Sequence, residues 1–374
     1  MLHRERINKV QERMRAQSID AYMILTHDDY IYLMGEDRYQ PRAIIPASGD
    51  PIIITFQGEE KEVRKNFDLE GVRVFSTVGQ QIKDVVQSMR GLFQRSGRED
   101  KMKVGVQMGF FTPAFLLNMF QKANPMIEVV DIAPVMDELR MVKDEQELEL
   151  IQRACNIADL GMDTAVKTLK PGTTENEVGA EIEYAMRKAG GHGTATPVFV
   201  NSGIRSGWLH GMASDKKIEA GDLVVIDLVP RYKGYCANLC RTFVVGEPNE
   251  EQTKLYDAYK KAQVAAEQCL KPGIKNREID EVAKAVYEEA GYGAYFVFGF
   301  SHSIGLMFEE TPMPTIHPAH SSVELRDGMT LTLGHSVLSV PEFGGVRIED
   351  TYHLTETGSQ PLTHFPKTLH INSA

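Results

Sequence analysis

The residues with chemistry to offer are acids, an amide and imidazoles that interrupt otherwise apolar stretches. Asp227 ends Leu223-Val224-Val225-Ile226-Asp227, a β-branched run that follows Gly221-Asp222 and has the character of a buried strand. A turn at Arg231-Tyr232-Lys233-Gly234 leads into a second strand. That strand carries Asn238, with Cys236 and Cys240 on one face by two-residue alternation. Four further interruptions follow the same logic. They are His210 after Trp208-Leu209, His302 in Phe300-Ser301-His302-Ser303-Ile304-Gly305, His335 in Leu333-Gly334-His335-Ser336, and Glu349 in Arg347-Ile348-Glu349-Asp350. A buried acid or amide is costly without a partner, so the rest of the chain must supply partners. Imidazoles move protons near neutral pH, and carboxylates orient a polar substrate or hold a metal. Taken singly, each histidine reads as a satisfied core residue and the Arg-x-Glu-Asp stretch as an ion-paired strand end. Taken together they point to one site in a cleft.

That cleft is implied by an internal repeat. Leu169-Lys170-Pro171-Gly172 recurs as Leu270-Lys271-Pro272-Gly273, each closing a long helical pattern. Each copy is followed by a capped helix, from Thr174 with Glu177 and from Asn276 before Glu278. Those helices close at Ala189-Gly190 and Ala290-Gly291. The strand pattern Gly221–Asp227 resembles Gly328–Gly334. Two copies of helix–helix–strand–strand predict two halves related by a pseudo-two-fold, with the singled-out polar residues at matching places in each.

Upstream, residues 4–17, 82–93 and 114–120 read as helices. Residues 21–25, 30–34, 43–45, 51–55, 104–106 and 128–132 read as strands. This alternation predicts a compact α/β unit without a catalytic motif of its own. Ala133-Pro134 and the charged stretch Asp137–Glu147 mark the boundary, giving domains 1–133 and 134–374. Asp144 with Glu147 forms a capping box for a helix whose apolar stripe runs from Leu148 to Leu169.

Hydrophobic residues make up 42% of the chain, enough for a sizeable core. A net charge of −11 and a pI near 5.5 argue against nucleic-acid or anionic-membrane partners. The charged start and the lack of a long apolar span predict a cytoplasmic protein. Cys155, Cys236, Cys240 and Cys269 are too scattered for a disulfide framework and read as reduced thiols.

From about Met136 to the end, the order of these segments resembles the pita-bread hydrolases, the M24 peptidase family. Residues 1–133 resemble the creatinase-type N-terminal domain of its prolidase, aminopeptidase P and creatinase branch. The resemblance implies an α/β N-terminal domain and an α+β pita-bread catalytic domain. Metallopeptidases of this family hold two divalent metals with two Asp, one His and two Glu. By motif these positions fall on Asp227, Asn238, His302, Gly334 and Glu349. Thus Ala237-Asn238-Leu239-Cys240-Arg241-Thr242 has an amide in place of the second acid. Thr332-Leu333-Gly334-His335-Ser336 replaces a Thr-Ile-Glu-Pro-Gly pattern, and Glu309 stands where a histidine is usual, followed by Glu310 and Pro312.

Two of five ligands are therefore absent, and a pair of divalent ions lacks the anionic oxygens it needs. Creatinase shares the fold, works without metal, and has a Gly-His-Ser segment close to Ser301-His302-Ser303. The resemblance thus implies a metal-free hydrolase of a small C–N compound, with no cofactor required. His210, His302 and Glu349 are its catalytic residues, and Asp227, Asn238, Glu309, Glu310, His335 and Arg347 bind the substrate. One divalent ion (manganese, cobalt or zinc) on Asp227, His302 and Glu349, with or without His335, is a variant of this reading. The alternatives are an Xaa-Pro dipeptidase or aminopeptidase with an altered metal site, and a non-catalytic pseudo-peptidase. The expected partner is a small molecule or short peptide, and by family resemblance the chain is a homodimer.

Overall fold

The computed structural model describes residues 3–38, 42–67, 69–109 and 112–372. The chain divides into two compact units, Met1–Arg140 and Met141–Ala374.

The first unit alternates helices and strands: α1 (Arg4–Ala16), β1 (Ala21–Ile24), α2 (His27–Met34), β2 (Ala43–Pro46), β3 (Ile52–Phe56), α3 (Glu60–Asn66), β4 (Val72–Phe75), α4 (Val78–Ser96), β5 (Met102–Val106), α5 (Ala114–Ala123), β6 (Ile127–Asp131) and α6 (Ala133–Met141). The strands form one mixed sheet in the order β4-β3-β2-β1-β5-β6. Its core joins Ala21, Met23, Ile44, Val104, Val106 and Met89. Residues 30–34, expected as a strand, form the second half of α2. A short continuous apolar run has no period to distinguish strand from helix. The deciding signals lie at its ends: Asp28 and Asp29 in the first turn, and Gly35 in the left-handed region (φ +70°) as the C-cap.

The expected boundary at Ala133-Pro134 falls at the start of α6, whose Val135 and Met136 are buried and whose Arg140 pairs with buried Asp29 at 3.1 Å. These contacts keep α6 with the first unit, and the division comes after Arg140.

The second unit contains α7 (Glu145–Thr168), α8 (Glu175–Lys188), β7 (Phe199–Ser202), β8 (Leu223–Leu228), β9 (Arg231–Tyr232), β10 (Tyr235–Cys236) and β11 (Leu239–Val245). It continues with α9 (Glu250–Cys269), α10 (Asn276–Glu289), β12 (Ser301–Ser303), β13 (Thr330–Leu333), β14 (Leu338–Val340), β15 (Gly344–Val346), β16 (Asp350–Thr355), β17 (Gly358–Pro361) and β18 (His370–Asn372). The repeat is visible in its topology. Helices α7 and α8 precede the antiparallel run β7-β8-β11, and α9 and α10 precede the antiparallel run β12-β13-β16. Capping boxes at Asp144, Thr174 and Asn249 start three of the four helices; each such cap is worth about 1 kcal/mol. The fourth starts one residue earlier than expected. Lys275 is its N-cap, with the Lys275 backbone N–H donated to Glu278 at 2.7 Å, and Asn276 is the buried first residue.

The two sheets meet at a bridge between Cys240 and Glu349, with reciprocal backbone hydrogen bonds of 3.0 Å. Arg241, fully buried, secures that seam. It donates to the carbonyls of Cys240 (2.8 Å) and Glu349 (2.9 Å) and to the Asp350 carboxylate (2.7 Å). Glu349 is thereby fixed where the two repeats join. All four cysteines are free thiols. Cys236 and Cys240 lie on different strands, their sulfurs directed at the carbonyls of Leu306 and Arg347. No helix among the described residues is long and apolar enough to cross a membrane.

Candidate active site

Asp227 lies near the end of β8, opposite Cys240 on β11 and Phe199 on β7. Asn238 is not on a strand, as the alternation had predicted. It sits in the connection between β10 and β11, held by a two-way exchange with Thr351: Asn238 N–H to Thr351 Oγ1 at 3.0 Å, and Thr351 Oγ1–H to the Asn238 carbonyl at 2.9 Å. Its side-chain amide donates to Asp227 Oδ1 at 2.7 Å. The other Asp227 oxygen accepts from Arg347 Nη1 at 2.9 Å. Arg347 also donates to Glu349 Oε2 and, at 3.3 Å, to the Gly334 carbonyl. One guanidinium thus ties two carboxylates together at the centre of the pocket. Such pairing offsets the cost of burying both acids.

Gly334 supports this arrangement by having no side chain. Its φ is +101°, and a Cβ there would collide with the Ile348 carbonyl oxygen and lie 2.9 Å from its carbon. The backbone just after β13 therefore approaches the Ile348–Glu349 segment too closely to carry a carboxylate at this position. The pair of family metals, with ligands at Asn238 and Gly334, does not fit these residues. One position offers a neutral amide already bound to Asp227, the other has no room for a ligand, and Arg347 supplies positive charge between the remaining acids.

On the opposite side of Glu349 the polar groups are less fully paired. His302, on β12, is 0% exposed; its Nδ1 lies 2.9 Å from the Ser303 carbonyl, and its Nε2 has no hydrogen-bond partner. Glu349 Oε1 is likewise buried without a partner, 3.5 Å from His302 Nε2 and 3.8 Å from His335 Nδ1. His335 follows β13, its ring edge-on to His302 with centroids 4.6 Å apart. Its Nε2 is 3.5 Å from Glu309 Oε1, and the second Glu309 oxygen accepts from Thr315 Oγ1 at 2.9 Å. His302, Glu309 and His335 present ligand atoms within 4.8 Å of one another.

The charge states follow from these contacts. Burial alone would raise the Glu349 pKa, but Arg347 and the two imidazoles hold it well below the usual carboxylate range. Burial pushes Asp227 up against the opposing pull of Arg347. Burial would depress His302, and Glu349 and Glu309 more than reverse this, so its pKa is raised. At His335 burial dominates and the pKa is lowered. Burial works against Glu309 too, but the neighbouring histidines lower it overall.

Seven of the nine residues expected at the site converge here: Asp227, Asn238, His302, Glu309, His335, Arg347 and Glu349. Glu310 is adjacent but directed at buried Lys143, 2.7 Å away. His210 is exposed in the turn after the 3-10 segment Gly203–Gly207 and makes no hydrogen bond or ion pair with the described residues. Sequence reasoning missed Arg241 and Lys143 as positioning residues. Both are buried cations, and the only available signal was that Arg241 sits in an apolar strand.

Comparison with known proteins gives this geometry its context. Residues 149–356 match the model of metallopeptidase family M24, and residues 6–142 match the creatinase/prolidase N-terminal domain. An Xaa-Pro dipeptidase of Pyrococcus horikoshii is 34% identical over 372 residues, spanning 98% of each chain. One of Pyrococcus furiosus is 33% identical over 366 residues, spanning 98% of this chain and 99% of the relative. Among solved structures, the prolidase from Pyrococcus horikoshii OT3 superposes with a TM-score of 0.86 at 32% identity, covering 98% of this chain and 99% of that one. An Xaa-Pro dipeptidase from Bacillus anthracis superposes with a TM-score of 0.87 at 28% identity, with the same coverage. The expectation of a cofactor-free site finds no support here, since the matched family is one of metallopeptidases and three ligand-type side chains converge. With both domains matched nearly end to end, the chain belongs to the M24 peptidase family, a hydrolase with a creatinase/prolidase N-terminal domain and a pita-bread catalytic domain.

Proposed function

We propose that this hydrolase cleaves the peptide bond of short Xaa-Pro substrates. The observation that carries the reading is the nearly full-length likeness to Xaa-Pro dipeptidases, which extends over both domains. It favours the Xaa-Pro alternative over the expectation of a metal-free, creatinase-like hydrolase. Glu349 Oε1, free of the guanidinium and beside two imidazoles, is the group we assign to hold and orient the attacking water through a hydrogen bond. Arg347, Asn238 and the seam arginine Arg241 hold that carboxylate and Asp227 in place.

The test is release of free proline from Xaa-Pro dipeptides by the purified full-length chain, with chelator and with added zinc, cobalt or manganese. Release is expected in at least one metal condition, and Glu349→Gln should reduce it by about 10²-fold or more. Absence of proline release by folded protein under every condition would overturn the substrate assignment.

A further inference from the structure

We propose that His302, Glu309 and His335 form a mononuclear metal site for one zinc-like divalent ion, distinct in its ligands from the family's dinuclear centre. The inference rests on the hydrolase reading above and concerns the same pocket. It departs from the sequence-based ligand set of Asp227, His302 and Glu349. Both Asp227 oxygens are already occupied, by Asn238 and by Arg347, and one Glu349 oxygen is taken by Arg347.

Four observations converge on the new set. First, the ligand atoms of His302, Glu309 and His335 lie within 4.8 Å of one another, and the His335 Nε2 to Glu309 Oε1 distance is 3.5 Å. A tetrahedral ion with ligands about 2.0–2.1 Å away needs neighbouring ligand atoms about 3.3–3.4 Å apart, so a small rotation of one imidazole completes the geometry.

Second, His302 has the tautomer a ligand requires. With Nδ1–H donated to the Ser303 carbonyl, the neutral ring carries its lone pair on Nε2, which is fully buried, 3.5 Å from Glu349 Oε1 and without a hydrogen-bond partner. Third, Glu309 is held by Thr315 through its other oxygen, which fixes the direction of the coordinating one. When His335 coordinates through Nε2, its proton resides on Nδ1. It then faces Glu349 Oε1 at 3.8 Å in place of the long 3.4 Å contact with Arg347.

Fourth, the charge matches one ion and not two. Three carboxylates, Asp227, Glu309 and Glu349, against the single guanidinium of Arg347 leave two negative charges. That balances one divalent cation, and a second would have no compensation. Two imidazoles with one carboxylate favour zinc or cobalt over magnesium or calcium. Such an ion supplies Lewis-acid polarisation of a substrate carbonyl.

The experiment strips the full-length chain with chelator, titrates zinc into it, and counts bound metal by elemental analysis. Cobalt substitution gives an independent spectroscopic readout. The expected result is one equivalent per chain. His335→Ala and Glu309→Gln should each weaken binding at least about tenfold and alter the cobalt visible spectrum. His210→Ala, at an exposed position away from these residues, should keep one equivalent. Circular dichroism confirms that each variant is folded, and His335, 15% exposed, is the least enclosed of the three ligands, so its truncation is the safest. Two equivalents, none, or one equivalent insensitive to both His335→Ala and Glu309→Gln would overturn the site. One ion bound by these residues without cleavage of Xaa-Pro dipeptides would uphold the site and refute the substrate assignment. Proline release by chelator-stripped protein with no bound ion would do the reverse.

Discussion

The two sides of the pocket differ in how fully they satisfy their own polar groups. Around Asp227, both carboxylate oxygens accept short hydrogen bonds, and Arg347 spends three N–H groups on Asp227, Glu349 and the Gly334 carbonyl. Around His302, an imidazole nitrogen and a carboxylate oxygen are buried with no hydrogen-bond partner. Buried polar atoms without partners cost free energy, and native proteins keep few of them. The first side is therefore the frame, and the second is the part that a ligand completes. Glu349 belongs to both, with one oxygen on each.

The sharpest way to break this comparison is to remove the shared guanidinium. Arg347→Met leaves Asp227 and Glu349 buried without their counter-charge, and the expected loss is about 3–5 kcal/mol. Urea unfolding of the wild-type and variant chains measures it. Combining the change with Asp227→Asn should recover part of the loss, because one of the two orphaned acids is then neutral. A loss under about 1 kcal/mol would show that the frame does not depend on Arg347.

Restoring the acid that the resemblance places at position 238 probes the same frame more gently. Asn238→Asp replaces a 2.7 Å hydrogen bond to Asp227 with a second carboxylate at the same spot. Loss of a hydrogen bond to a charged group, with like-charge repulsion added, should destabilise the metal-free chain by about 2–3 kcal/mol. Added zinc should still bind at one equivalent, because Gly334 continues to offer no ligand. A second equivalent bound by this variant would show that a single substitution suffices to rebuild the pair, contrary to the geometry at Gly334.

The difference between the two sides also explains what was legible in the sequence. The repeat was readable because helix ends carry strong local chemistry: Pro-Gly after α7 and α9, and capping boxes before α7 and α8. The acids and imidazoles stood out because they interrupt apolar strands, and the buried ones proved to share one pocket. The motif resemblance identified the family and the altered ligand positions. What could not be read was which partner each group takes. Arg347 was visible only as a strand-edge ion pair, whereas in the fold it reaches Asp227 on β8, 120 residues away in the chain, and ties it to Glu349. The reason for Gly334 was equally hidden. Its lack of a side chain reads as a lost ligand in the sequence, but the structure shows a backbone approach that excludes any Cβ. The segment 30–34 failed for a local reason, since five consecutive apolar residues carry no period.

His210 gives the smallest effect and isolates the pocket from its surroundings. In sequence it ranked with His302 and His335, because all three follow apolar residues. In the fold those two are enclosed among carboxylates, while His210 lies exposed on a turn, flanked by exposed Trp208, Leu209 and Met212. An exposed imidazole without hydrogen-bond or ion-pair partners contributes little to folding, so His210→Ala should leave the unfolding free energy within about 0.5 kcal/mol of wild type. The same variant should retain the single metal equivalent, because no ligand atom of the His302–Glu309–His335 group is touched. Urea unfolding and metal counting on one preparation check both. A loss above about 1 kcal/mol, or a loss of bound metal, would mean that this turn packs over the His302 side and belongs to the frame.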